Sequence, residues 1–456
     1  MGSAKEAKEI DLGSGSVGRL LFKLAVPAIT AQIINVLYNM VDRMYIGHLP
    51  GVGASALTGV GVTFPVIMAI SAFAALVSMG GAPRASIMLG KGRKEEAENI
   101  LGNCTTALIA VALVLTVFFL TFGRSILLMF GASGNTIEYG WAYMQIYSLG
   151  TIFVQLALGL NAFINAQGYA KTGMLTVLIG AVCNIILDPI LMFGLHMGVR
   201  GAALATIISQ GISATWVVLF LLSGKSYLKI RPCYMRPRAD ILMPAIALGA
   251  APFVMQFTES ILNICFNTSL LKYGGDVAVG AMTIMGSVMQ FSLLPLQGLT
   301  QGAQPIISFN YGARKIDRVS RTFWILLATC MCYSTVLWAV SMFAPGVFIS
   351  IFTKDAALTA FSTWSIHVYM AAALLFGAQL ACQQTFIALG DSKTSLFLAL
   401  LRKVILLIPL IYVLPRLFEN KVFAVFLSEP IADTIAVCTT VTLFIISFRK
   451  LRRTMG

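Results

Sequence analysis

The feature that most constrains this chain is a series of apolar runs of about 20 residues that recur from end to end. A helix of that length crosses roughly 30 Å of hydrocarbon, and in lipid a helix satisfies its own backbone hydrogen bonds. Twelve runs are predicted to span, at about 20–48, 56–82, 100–122, 138–165, 173–195, 199–222, 241–271, 277–306, 322–350, 360–388, 394–415 and 421–448. The predicted fold class is an all-α integral membrane protein with twelve transmembrane helices.

The amount and placement of charge agree with this class. The chain is 58% hydrophobic and 11% charged, whereas a soluble domain carries about 25% charged residues. Its net charge of +14 would also suit a nucleic-acid-binding protein. With both termini cytoplasmic, however, 23 Lys and Arg residues fall in segments on that side and six fall in the outer loops. This positive-inside bias indicates a multi-pass protein of the plasma membrane, so no nucleic-acid partner is expected.

An internal repeat divides the chain into two halves. The segment AQGYAKT at 166–172 returns as ALGDSKT at 388–394, and LGKGRK at 89–94 returns as YGARK at 311–315. A third pair, LAVPAITAQ at 24–32 and LGAAPFVMQ, follows in the same order with a similar offset. Because each half holds six helices, both halves enter the membrane from the same side and form a parallel repeat.

This repeat predicts two pseudo-symmetric six-helix bundles around a central cavity, which is a transporter architecture that alternates access by rocking. The predicted organisation is a disordered cytoplasmic tail over 1–18, an amino-terminal lobe over 19–222, a cytoplasmic linker over 223–240, a carboxy-terminal lobe over 241–448 and a basic cytoplasmic tail over 449–456.

Two acidic residues within the amino-terminal spans indicate a cation site. Asp42 lies near the outer end of helix 1, and Asp188 lies at a matching depth in helix 5. A carboxylate inside a span costs roughly 2.5–3.5 kcal/mol on insertion scales and usually marks an ion or substrate pathway. Asn184 lies one helical turn before Asp188 on the same face, and Thr206 lies six residues into helix 6 from its outer end.

The residue types leave the coupling ion open. Two carboxylates, an amide oxygen, a hydroxyl and a carbonyl freed by Pro189 would form an all-oxygen cage for Na⁺. The same two carboxylates, if close, could instead share one H⁺. Alternatively, Asp42 merely forms an ion pair with its neighbour Arg43, although adjacent helical residues face about 100° apart.

Polar residues in both lobes indicate a cargo cavity. Helix 1 carries a one-sided polar stripe that leads to Asp42, and helix 7 repeats it. Glu259 within the second stripe is expected to face the cavity as a separate acidic group that attracts organic cations. Methionines of helix 8 suit a promiscuous pocket, although core packing explains them equally well, and interhelical hydrogen bonding would explain the asparagines. The expected cavity residues are Gln32, Asn35, Asn39, Gln256, Glu259, Asn263, Met285 and Met289.

Four charged residues of helices 11 and 12 are predicted to neutralise one another as a structural cluster, with gating as the alternative. They are Arg402, Lys403, Glu429 and Asp433. At the repeat offset, the counterparts of Asp42, Asn184 and Asp188 are Phe266, Leu406 and Leu410. The sequence therefore predicts one ion-coupling site, in the amino-terminal lobe.

The segments NVLYNMVDRMYIGHL, NIILDPILMFG and GAALATIIS, with the repeated turns above, resemble the multidrug and toxic compound extrusion (MATE) family over nearly the whole chain. The resemblance implies an exporter that exchanges inward Na⁺ or H⁺ for outward amphiphilic, often cationic compounds. It places the ion site at Asp42, Asn184, Asp188 and Thr206, with Tyr143 and Asn161 of helix 4 around it. The chain looks most like the branch of the family with an acidic pair in the amino-terminal lobe. Another branch has an acidic residue midway along helix 10, which is missing here.

Other functional classes fit less well. The chain lacks the HExxH and GxSxG motifs of common hydrolases, so no enzymatic activity and no catalytic residue is expected. The nearest alternative is a flippase of lipid-linked sugars on a related scaffold, whose anionic cargo would favour several basic residues in the cavity. We expect no cofactor and no metal beyond a possible Na⁺, and as partners the bilayer and small amphiphilic or cationic substrates, with function as a monomer.

Overall fold

The computed structural model describes residues 11–352 and 355–455. In the amino-terminal half, six segments cross the bundle: α1 Val17–Gly47, α2 Gly53–Gly90, α3 Lys94–Met129, α4 formed by Ile137–Leu149 and Thr151–Ala166, α5 Ala170–Gly194, and α6 Val199–Leu222. The last turn of α5, Ile190–Gly194, is π-helical. A 3₁₀ turn at Pro232–Tyr234 lies in the segment that follows α6.

The carboxy-terminal half repeats this arrangement. Ala239–Gly312 is one helical stretch that is broken at Gly275, and it supplies α7 (239–274) and α8 (276–312). The remaining segments are α9 Ile316–Phe343, a short helix Gly346–Phe352, α10 formed by Ala356–Tyr369 and Phe376–Ala388, α11 Ser392–Leu417, and α12 Lys421–Met455. The part of α11 over Leu401–Leu407 is π-helical. With the bent segments α4 and α10 each counted as one span and the stretch broken at Gly275 as two, the described residues form the predicted twelve-helix membrane bundle.

The backbone repeats with the offset of 222 that the sequence predicts. Gly92 and Arg314 both adopt left-handed conformations, with φ of 74° and 57°. Arg314 does so although it carries a side chain, which is uncommon outside glycine and short polar residues. Gly168 and Gly390 form a second such pair, and the two bent segments α4 and α10 bend by 58° and 47°. The six-helix unit was thus duplicated with its turns and bends intact.

Glycines join the two lobes at one end of the bundle. α1 begins and α12 ends at this end, which is called here the termini end. A Cβ atom at Gly249 of α7 would collide with the Leu76 carbonyl of α2, and one at Gly80 would collide with the Ala245 carbonyl. The rings of Phe73 and Phe253 also meet across this boundary, 5.1 Å apart. All these contacts lie in the half of each helix nearer the termini end, so the lobes are closed there.

The segment before α1 corrects one prediction. Residues 1–18 were expected to be disordered, but residues 11–16 lie against the carboxy-terminal lobe, and residues 1–10 lie outside the described part. Leu12 is buried, and its carbonyl accepts a hydrogen bond of 2.8 Å from Asn310 Nδ2. The side chains of Lys315 and Arg318 donate hydrogen bonds to the backbone carbonyls of the next three residues, 13–15. Because α1 belongs to the amino-terminal lobe, this segment ties the two lobes together.

The predicted linker between the lobes is also anchored. Arg238 N–H donates to Asn103 Oδ1 of α3 at 2.7 Å, and Thr106 donates to the Met235 carbonyl at 2.6 Å. Arg231 forms an ion pair of 2.7 Å with the buried Glu98. These contacts are all with the amino-terminal lobe, so the linker fixes where α7 begins.

The glycine contacts generate a stability prediction. Gly249→Ala should lower the stability of the purified protein by roughly 1–3 kcal/mol, because the added methyl group overpacks a backbone contact. Gly286→Ala in α8 is the matched control, since its Cβ would meet nothing within 4 Å. That change should stabilise the helix by about 0.5–1 kcal/mol. Thermal unfolding in one detergent measures both variants. Equal shifts of their unfolding temperatures would contradict the close backbone contact at Gly249.

Candidate functional site

Four residues that the sequence singled out meet inside the amino-terminal lobe. Asp42, Asn184, Asp188 and Thr206 are 8%, 1%, 0% and 8% exposed. Asn184 Nδ2 lies 3.3 Å from Asp188 Oδ1 and 3.4 Å from Thr206 Oγ1, and Thr206 donates to the Ala202 carbonyl. The carboxyl groups of Asp42 and Asp188 are near enough to share a hydrogen bond when one is protonated. We call this group the carboxylate pair site.

The local fold explains how α5 supplies two of these side chains. Asn184 and Asp188 lie one turn apart on the same face of the helix. The regular α-helix ends at Pro189, and the wider π-helical turn follows directly. Proline cannot donate a backbone hydrogen bond to the preceding turn, and single π-helical turns occur frequently at functional sites. The helix therefore changes its winding immediately beside Asp188.

Several oxygens of this site have no partner. Asp42 Oδ1, Asp188 Oδ2 and Asn184 Oδ1 are buried without a hydrogen bond. Arg43 attracts the Asp42 carboxylate electrostatically, but among the described residues it makes no close ion pair with it; its guanidinium lies over the Phe64 ring, 4.9 Å from the centroid. Buried carboxylates without a basic partner are unfavourable in a membrane, so the arrangement is suited to receive a cation.

Two tyrosines complete the walls of the site. Tyr143 hydrogen-bonds Thr206, and its ring stacks on Tyr147. Tyr38 of α1 lies close to both Asp42 and Asp188, and the sequence reasoning missed it. Its signal was available, because Tyr38 lies four residues before Asp42 and therefore on the same helix face.

A small cavity of about 50 Å³ adjoins the carboxylate pair site. Asn35, Tyr38, Asn161 and Asn184 line it together with Thr206. Asn161 donates to the Gly173 carbonyl at 3.2 Å, and its buried Oδ1 has no partner. The volume suits water molecules or an ion rather than an organic molecule. Asn161 is thus placed beside the site, on its inner side.

The lone carboxylate that the sequence predicted in the carboxy-terminal lobe has a partner. Glu259 Oε1 lies 2.6 Å from Lys403 Nζ. The Glu259 side chain is 57% exposed, whereas that of Lys403 is 8% exposed. The prediction of an unpaired carboxylate is therefore wrong, and a cation would have to compete with Lys403 for this group. Sequence distance hid the pair, since 144 residues separate its members.

The other charges of α11 and α12 do meet. Arg402 Nε lies 2.6 Å from Asp433 Oδ1, and its Nη2 lies 3.7 Å from Glu429 Oε1. Both acids are nearly fully buried. Lys403 contacts Glu259, so Glu259 joins the four predicted residues as a fifth member. We call these five residues the carboxy-lobe charge cluster.

Among the expected cavity residues, the polar ones on α1 and α7 are exposed or half-buried, whereas the two methionines of α8 pack in or against the core. Asn39 and Asn263 are exposed, and each donates to a backbone carbonyl one turn earlier in its own helix. Within the part of the chain that the structure describes, neither makes the interhelical hydrogen bond that was the alternative. Gln32 and Gln256 are half-buried, and Asn35 is exposed.

Met285 is fully buried in the core of the carboxy-terminal lobe, and Met289 packs against that core. The cavity assignment for Met285 is therefore wrong.

The repeat counterparts of the carboxylate pair site are apolar. Phe266 is 2% exposed, and its ring meets the Tyr369 ring at 6.1 Å. Leu406 and Leu410 pack against the carboxy-lobe core. The same scaffold position thus carries ionisable groups in one lobe and hydrocarbon in the other.

The Glu259–Lys403 contact generates a prediction. Glu259→Gln should destabilise the protein by roughly 1–3 kcal/mol, because the buried Lys403 ammonium loses its charged partner. The double variant Glu259→Gln, Lys403→Met removes both charges and should recover most of that loss. Thermal unfolding of both variants checks this, and a double variant less stable than the single one would rule out the pairing.

Comparison with known proteins follows the same two-lobe division. A family model described as MatE matches residues 27–190 and 252–413, one segment in each lobe. The multidrug export protein MepA of Staphylococcus haemolyticus is 26% identical over 440 residues, covering 96% of this chain and 95% of the relative. MepA of Staphylococcus aureus strain N315 is 25% identical over 409 residues, covering 88% of each chain.

Solved structures share the whole fold. The MATE multidrug transporter DinF-BH, solved as a complex, superposes with a TM-score of 0.88 at 31% identity, covering 97% of this chain and 98% of that chain. The outward-facing conformation of a multidrug resistance MATE family transporter of the MOP superfamily gives a TM-score of 0.90 at 21% identity, covering 98% and 99%. The family model, the relatives and the fold agree, and the chain belongs to the MatE family.

Proposed function

We propose that this chain is a secondary active multidrug exporter, which exchanges inward Na⁺ or H⁺ for small, amphiphilic and often cationic compounds. The observation that carries the proposal is the carboxylate pair site, where two buried acids retain oxygens without a partner. The relatives are named multidrug export proteins, and the similar DinF-BH structure is that of a multidrug transporter, which supports this class of activity.

The coupling follows from the electrostatics of the pair. While both carboxylates are ionised, they repel each other and resist complete removal from water. One bound H⁺ or Na⁺ neutralises part of this charge and lowers the cost of closing the lobes over the site. Release of the ion on the other side restores the repulsion. Asp42 and Asp188 would bind the ion, while Asn184, Thr206 and Tyr143 would orient them.

Cargo would bind between the lobes rather than in the small cavity beside the ions. The polar faces of α1 and α7 supply Asn39 and Asn263 on one side each, both exposed. Glu259 is the acidic group of this surface, and Lys403 holds it when no cation is bound. A cationic compound would therefore have to displace the Lys403 ammonium from Glu259. A weakly charged compound would compete less well and would bind with lower affinity.

The setting of this activity is part of the proposal. The excess of Lys and Arg in the segments at the termini end favours a plasma-membrane protein with both termini in the cytoplasm. In that orientation the closed end of the bundle faces the cytoplasm, and the carboxylate pair site lies nearer the outer surface. Both lobes come from one chain, so a monomer would suffice for transport.

A transport assay tests the assignment of the ion site. Asp42→Asn and Asp188→Asn should each reduce gradient-driven efflux of a cationic dye from proteoliposomes to the level of empty liposomes, because an amide cannot exchange a proton and binds cations poorly. Asp276→Asn, an exposed carboxylate beside the break at Gly275, is the matched control and should transport normally. Normal efflux by either site variant would refute the assignment.

The same assay distinguishes the coupling ion. Na⁺ and H⁺ gradients are imposed separately on wild-type proteoliposomes at constant membrane potential. Efflux driven by one gradient alone identifies the ion, and efflux driven by either means that both use the site. If neither gradient drives efflux while the dye still binds, the proposal of ion exchange is wrong.

A further inference from the structure

The carboxy-lobe charge cluster carries one more acid than base. Its members are the carboxylates of Glu259, Glu429 and Asp433 and the basic groups of Arg402 and Lys403. When all five are ionised, the cluster has a net charge of −1. Glu429 and Asp433 are 3% and 2% exposed. An uncompensated charge at this depth is strongly unfavourable, and buried groups normally neutralise instead.

The excess charge can be assigned to one part of the cluster. Glu259 and Lys403 form a close pair of 2.6 Å that leaves no net charge. The remaining three groups are one guanidinium and two carboxylates. Arg402 donates to Asp433 Oδ1 at 2.6 Å, but its contact with Glu429 is a looser 3.7 Å. Asp433 Oδ2 is buried and has no hydrogen-bond partner.

The geometry of α12 brings these two carboxylates together. Glu429 and Asp433 are four residues apart, so they lie on one face of the helix. Tyr369 of α10 lies near the same charges. The groups that face Glu429 and Asp433 are therefore Arg402, Lys403, Glu259 and Tyr369, contributed by α11, α7 and α10. Arg402 and Lys403 both lie in the π-helical part of α11, Leu401–Leu407, and their side chains contact different acids.

The surroundings favour a proton over a metal cation as the neutralising species. A metal ion beside Asp433 would lie close to the Arg402 guanidinium, and like charges repel strongly at such distances in a medium of low polarity. A hard cation also needs several oxygen ligands. Among the described residues, no group of three or more His, Cys, Asp or Glu side chains is arranged to hold a metal ion.

We propose that Glu429 and Asp433 together hold one exchangeable proton, which makes the carboxy-terminal lobe a second protonation site, separate from the carboxylate pair site. The proton would fill the hydrogen-bonding position that Asp433 Oδ2 leaves open, between the two acids. Lys403 connects the site to the cargo surface: a cation that displaces it from Glu259 frees an ammonium group beside Glu429. The displaced ammonium would then neutralise the cluster and release the proton.

Infrared difference spectroscopy of the purified protein tests the proposal. The background is the Asp42→Asn, Asp188→Asn variant, so the proposed ion site contributes nothing and the two ideas can fail separately. The C=O stretch of a protonated carboxyl group is recorded while the pH of the perfusing buffer is raised. We expect a band for about one protonated carboxyl group per molecule that disappears at high pH. Glu429→Gln in this background should remove the band, because the cluster is then neutral without a proton.

The matched control preserves the excess charge. Glu259→Gln, Lys403→Met removes one acid and one base, so the band should remain. An unchanged band in Glu429→Gln would overturn the proposal, and so would loss of the band on adding Na⁺ at constant pH. If Glu429→Gln fails to fold, Asp433→Asn is measured instead. Failure of both to fold, while the control folds, would mean that Arg402 needs both acids ionised, which also contradicts the proposal.

Discussion

The cost of placing carboxylates inside a membrane-spanning bundle governs this structure. Asp42, Asp188, Glu429 and Asp433 are all nearly fully buried, and each must be neutralised by a base, a proton or a metal cation. In the carboxy-terminal lobe Arg402 neutralises one acid within the protein. In the amino-terminal lobe no basic side chain within the described residues pairs with Asp42 or Asp188. The proposed exchange would supply the neutralising charge from solution.

The duplication explains why one fold holds two different electrostatic arrangements. The turns at Gly92 and Arg314 and the bends of α4 and α10 recur at equivalent positions, because backbone geometry and helix packing determine them. Side chains inside the lobes were free to diverge. The position equivalent to Asp42 holds Phe266, which packs on Tyr369, while the charges of this lobe lie elsewhere on α7, α11 and α12. At the termini end, glycines allow close contact between α2 and α7.

The sequence predicted the span number and the repeat, because span length and repeated segments are local features. Matching depth in the membrane and the family resemblance, rather than local spacing, predicted that Asp42 meets Asn184, Asp188 and Thr206. It could not predict that Glu259 contacts Lys403, since this depends on how α7 packs against α11. The burial of Met285 was equally hidden, because a helix of the bundle is apolar on both its core and its lipid face. The contacts of residues 11–16 depend on backbone carbonyls, which leave no pattern in the sequence.

The central claim is that ion occupancy of the carboxylate pair site controls whether the bundle opens or closes. Double electron–electron resonance measures the distance between two spin labels. Labels at Gly134→Cys and Glu419→Cys, in a background without the native cysteines, report the separation of the lobes at the end opposite the termini. Lowering the pH or adding Na⁺ should shift the distance distribution of the otherwise unaltered protein. The account predicts no shift once Asp42→Asn and Asp188→Asn are introduced. An equal shift with and without those two substitutions would contradict it.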